Sequence, residues 1–83
     1  MPELDLYGLP DENGPERQVP VSDEGTQRVN PPAKAASARN DSPFLAELYT
    51  NDQASGRPEA VLVPGAEENI RPISVRSVNF IAG

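Results

Sequence analysis

Proline sets the tightest limit on what this chain can fold into. Ten of its 83 residues are proline and six are glycine. Each proline fixes φ and removes a backbone donor, so a proline-dense chain is a poor source of long helices and of strands paired on both sides. The expectation is a mostly irregular, extended, proline-rich chain with short regular elements between the breaks.

The apolar content points the same way. Leu, Ile, Val and Phe total 18 residues, just above the roughly one-fifth share below which charged chains stay disordered. Chains of this length bury a smaller fraction of their surface than larger ones. Small domains often make up the deficit with disulfides or a structural metal, and this sequence contains no Cys and no His. Burial against other chains is the remaining source of order. The sequence therefore predicts little independent core, with order supplied mainly by partner chains.

Charge and pattern together suggest three parts, with the charge sign changing once more at residue 69 within the last. Residues 1–27 carry seven acids and one Arg and read as an acidic extended arm with turns at Pro10, Asn13-Gly14-Pro15 and Pro20. Residues 28–40, "RVNPPAKAASARN", hold Arg28, Lys34 and Arg39 with no acid, and read as a basic Pro/Ala linker. Residues 41–83 combine a short helix with a C-terminal strand segment. The helix is expected over about 43–50: Ser42 as N-cap, Pro43 in the first position, and Phe44, Leu45, Leu48 and Tyr49 on one face. Being so short, it needs a surface to dock on. Strands are expected at about 60–63 and 73–82, the first closed by Pro64-Gly65 and the second opened by Pro72.

The last strand changes phase. Ile73 and Val75 point to one side, Val78 and Phe80 to the other, with Ile81 back on the first. That switch calls for a bulge at Arg76-Ser77 or for protein on both faces, and it suggests that Val78 to Ile81 is completed by another polypeptide. A loose similarity between two stretches about 43 residues apart, and the sequon at Asn40–Ser42, are set aside as coincidence.

Chemistry is nearly excluded. Without His or Cys there is no imidazole or thiolate nucleophile–base pair. The adjacent acids Asp11-Glu12, Asp23-Glu24 and Glu67-Glu68 lie in turn-like stretches and lack the ligand ladder of a calcium loop. No catalytic residue, cofactor or metal ligand is expected, and a net charge of −6 disfavours nucleic acid. The start of the chain lacks the basic and apolar runs of a signal peptide, and no segment approaches the length of a membrane span.

These features predict a non-enzymatic structural accessory protein. It would lie extended across a large assembly and join several copies of a structural subunit, in the manner of a decoration, cement or connector protein of a virus or bacteriophage particle. The alternative is an acidic, partly disordered cytoplasmic regulator or inhibitor that folds on one partner. The expected partner-binding residues are Phe44, Leu45, Leu48, Tyr49, Val75, Val78, Phe80 and Ile81; the structural reading uses strand addition to a sheet edge, and the regulator reading seats the acidic arm and the helix in a groove or on a basic surface of the partner.

Overall fold

The prolines sit where a sheet tolerates them. A computed structural model describes residues 2–82 as six antiparallel strands: β1 (Glu3–Leu9), β2 (Asn13–Pro20), β3 (Gly25–Asp41), β4 (Phe44–Tyr49), β5 (Ala60–Leu62) and β6 (Glu67–Ala82). Their order in one sheet is β2-β1-β3-β6-β4-β5. Pro15 and Pro20 lie on the edge strand β2, Pro15 where the β1–β2 register shifts and Pro20 at the strand's end, and an edge strand tolerates proline better than a central one. Pro31, Pro32 and Pro72 fall inside the two central strands, at the two places where the β3–β6 register shifts, between Arg28 and Ala33 and between Ala35 and Ser37. A bulge has already given up its ladder bonds, so proline there costs little. Met1, assigned to the acidic arm, and Gly83, assigned to the last strand, lie outside the described residues.

These shifts also bend the sheet. The C-terminal part of β3, Ser37 to Asp41, pairs with β1, whereas its N-terminal part, Gly25 to Arg28, pairs with Ser77 to Phe80 of β6. β4 then pairs with the same end of β6 and carries β5 outside it. The two outer hairpins thus sit at opposite ends of a long β3–β6 ribbon. Curling brings them face to face around one core that holds Leu4, Leu6 and Val19 from one end and Ala46, Leu48 and Leu62 from the other. The radius of gyration, 10.9 Å, is below the roughly 11.8 Å typical of a compact domain of this length.

The expected fold class is corrected. The chain is a compact all-β domain, not mostly irregular, and not an extended chain. Among the described residues there is no helix, so none is long and apolar enough to cross a membrane. The stretch 43–50 contains strand β4, because its pattern also fits a period of two: Phe44, Ala46 and Leu48 face the core and Leu45, Glu47 and Tyr49 face away. Six residues on a helix would stand alone, whereas in the sheet they are paired on both sides, by β5 and β6. Ser42 keeps part of its expected chemistry, since its Oγ accepts from the Phe44 N–H at 3.3 Å, but in a turn rather than at a helix start.

The basic stretch 28–40 lies within β3, and its alanines explain why the core is larger than the count of big apolar residues suggests. Ala33, Ala35, Ala36 and Ala38 are all buried, and small side chains allow close approach of the layers. Among the described residues sixteen hydrophobic ones are buried, so the expectation of little independent core is corrected as well. The strands expected at 60–63 and 73–82 coincide with β5 and the latter part of β6, although β4 lies between them. Val78 to Ile81 is flanked by β4 along its length and by β3 through Phe80, which corrects the expectation of a foreign strand there.

Candidate functional site

The eight residues expected to bind a partner are divided by the curl of the sheet. Leu48, Val75, Val78 and Phe80 are buried in the chain's own core, and Phe44 packs against it half-buried. Tyr49 is buried on the outer side, its hydroxyl donating to Glu47 Oε1 at 3.1 Å. Its ionisation is pushed upward by burial and by the Glu47 carboxylate. On the outer side Leu45, half-buried, and Ile81, exposed, remain reachable, and they are direct cross-strand partners. On the same outer face Val61 stands beside Glu47 on β5. Val61, Val63 and Ile81 are 44%, 56% and 39% exposed, which makes the outer side of β5–β4–β6 an apolar surface next to an open strand edge.

A loop packed beside this face is tied down. Buried Ser77 donates its hydroxyl to the Asn51 carbonyl and accepts from the Ala54 N–H at 3.0 Å. Asp52 in the same loop takes Arg76 at 3.1 Å and Arg28 at 3.5 Å. The bond from Arg76, aided by the charges of both arginines, holds the Asp52 carboxyl below its usual range. Arg76 occupies the bulge opposite residues 29–32 of β3, between the Val75 and Ser77 pairings, so the phase change seen in the sequence is the feature that places this clamp.

At the other end of the molecule three carboxylates converge. Glu3 and Asp5 alternate with the core residues Leu4 and Leu6 along β1, and so point to its outer face. Glu16 lies on β2 opposite Tyr7, two positions along the strand from Asp5. One carboxylate oxygen of each of Glu3, Asp5 and Glu16 lies within 4.8 Å of the others. Asp5 is only 6% exposed, and its Oδ1 is buried with no hydrogen-bond partner among the described residues. Its pKa is pushed up to about 7, first by burial, then by the hydrogen bond and charge of Glu3 and the charge of Glu16. Arg39, opposite Asp5 on β3, pulls the other way without offsetting them. Tyr7 borders the group and donates to Glu16 Oε2 at 3.4 Å; burial and the neighbouring carboxylates raise its pKa too.

Sequence reasoning weighed only carboxylates adjacent in the chain and missed this cluster. The alternation in "ELDL" marks Glu3 and Asp5 as sharing a face, but Glu16 joins them only through the β1–β2 register. The other acidic group, Asp11, Glu12, Glu67 and Glu68, brings two of the expected pairs together beside Asn69 in a shallow pocket. There the hydrogen bond between the Glu12 and Glu67 carboxyls raises the Glu12 pKa. Comparison with protein-family models, curated proteins and solved structures gives no match.

Proposed function

We propose that this domain is a non-enzymatic structural accessory module that attaches to protein subunits of a larger assembly through the outer side of β5–β4–β6. The observation that supports this reading is the coincidence of exposed Val61, Val63 and Ile81 with a sheet edge at β5. A strand of a partner can add to that edge while its side chains cover the apolar residues. The opposite edge offers less. β2 carries Pro15, Glu16, Arg17 and Pro20 along its length, and prolines and charges of this kind protect an edge from pairing. The narrower expectation of a virus or bacteriophage particle finds no support in the fold and is not carried forward.

Stoichiometry tests the proposal. Purified from its native source, the protein is expected in a large particle at several copies per particle. The double variant Val61→Asp/Ile81→Asp, which changes only exposed positions, should elute as a folded monomer. Wild-type protein recovered free, or a double variant that stays in the particle, would refute the attachment face. A reversible one-to-one complex would instead favour the competing reading, a regulator of a single partner.

A further inference from the structure

The carboxylate cluster on the outer face of β1 and β2 is independent of the proposed attachment face, and one buried oxygen of Asp5, Oδ1, has no hydrogen-bond partner among the described residues. Buried polar groups normally find partners, and a buried carboxylate without one is costly. The three ion pairs among the described residues use Arg28, Arg71 and Arg76, and none reaches Glu3, Asp5 or Glu16. Among the described residues, three acidic groups therefore share a small volume with no cation in contact. We propose that Glu3, Asp5 and Glu16 form a binding site for a hard divalent cation of the size of calcium.

The donor set and the spacing support calcium over its competitors. All three donors are carboxylate oxygens, which suit hard cations, and the chain has no His or Cys to offer a softer one. Calcium binds oxygen at about 2.3–2.6 Å, so two oxygens on one ion stand at most about 5 Å apart. The 4.8 Å limit on the mutual separations fits within that reach. Magnesium demands near-ideal octahedral geometry and keeps several of its waters, so a cluster of three carboxylates with adjustable, partly exposed members suits calcium better. Asp5 supplies the fixed, buried donor; Glu3 is half-buried and Glu16 exposed, so both can adjust while water completes the coordination.

Tyr7 provides a local reporter, because its hydroxyl contacts Glu16 and there is no Trp to compete. The test is a titration of the full chain with terbium, an oxygen-seeking calcium substitute whose emission is excited through a nearby tyrosine. Saturable one-to-one emission is expected, displaced by calcium chloride more effectively than by magnesium chloride. Asp5→Asn and Glu16→Gln should each weaken binding by roughly tenfold or more; Glu16→Gln, at an exposed position, guards against loss through misfolding. Glu67→Gln, in the other acidic group, should leave binding unchanged. Tyr7→Phe should abolish the emission yet keep the calcium-induced rise in melting temperature. The proposal is overturned if no saturable emission occurs, if it persists in Tyr7→Phe, if Asp5→Asn and Glu16→Gln bind as wild type, or if magnesium displaces terbium as well as calcium does.

Discussion

Asn40 and Asp5 are buried polar residues on neighbouring strands, on opposite faces of the same β1–β3 pair, and they are treated in opposite ways. Asn40 is the Cα partner of Leu4 and is fully buried. Its side-chain nitrogen donates to the carbonyls of Phe44 at 2.7 Å, Leu62 at 3.0 Å and Val63 at 3.3 Å, and its Oδ1 accepts from the Ser42 hydroxyl at 2.7 Å. Its backbone joins the turn before β6 through Ala66 and Gly65, each at 2.8 Å. Asn40 thus closes the curl of the sheet where β3, β4 and β5 meet. Asp5, one residue along β1, has a buried oxygen with no donor among the described residues. Asn40 has its side-chain bonds made within the fold, whereas Asp5 keeps one buried oxygen without a donor among those residues.

Breaking the satisfied member should have the largest effect. Asn40→Ala removes partners from buried carbonyls and opens a cavity, and should lower unfolding free energy by about 3–4 kcal/mol in urea denaturation. At the other site the sign reverses. Asp5→Asn, of nearly the same shape, should raise stability at pH 8 by roughly 2 kcal/mol in the presence of a chelator, because it removes an uncompensated buried charge.

The pH dependence sharpens the contrast between Asp5 and the clamped Asp52. Asp5 binds its proton more tightly folded than unfolded, since its pKa rises from 3.8 to about 7. Its contribution is fully present below the unfolded value and is lost as pH rises through about 7. The groups facing it are Glu3, Tyr7, Glu16 and Arg39. Asp52 is lowered from 3.8, so its contribution is present above that value and is lost as pH falls through the folded pKa. Melting temperature measured against pH in chelator should therefore lose its fall between pH 4 and 7 in Asp5→Asn, and part of its acid-side fall in Asp52→Asn. The smallest effect is expected from Ser77→Ala. It should cost about 1–2 kcal/mol and show mainly as faster hydrogen exchange at the Ala54 amide, which the hydroxyl binds.

Legibility in the sequence followed the range of the interactions. The β-branched runs that became β5 and the end of β6, and the break in phase at Arg76-Ser77, depend on neighbours in the chain and could be read directly. Strand β4 could not, because "FLAELY" satisfies both the helical and the alternating pattern, and its choice rests on β5 and β6 lying on either side. The prolines of β3 and β6 misled for a related reason: proline argues against a central strand unless a bulge coincides with it, and the coincidence is set by the pairing of two distant segments. The same dependence on register hid Glu16 beside Asp5 and hid the partners of Asn40. Counting only large apolar residues also left out the buried alanines of "PPAKAASARN".

The central claim is that this chain completes its own sheet, including the stretch that sequence alone assigned to a partner. Hydrogen exchange of the isolated protein at Val78, Asn79 and Phe80 tests it most directly, because β3 and β4 flank all three positions. The account predicts amides that exchange only through global unfolding, at the slowest rates in the molecule. Exchange near the rate of an unfolded chain in the isolated protein, with protection gained only in a complex, would contradict it.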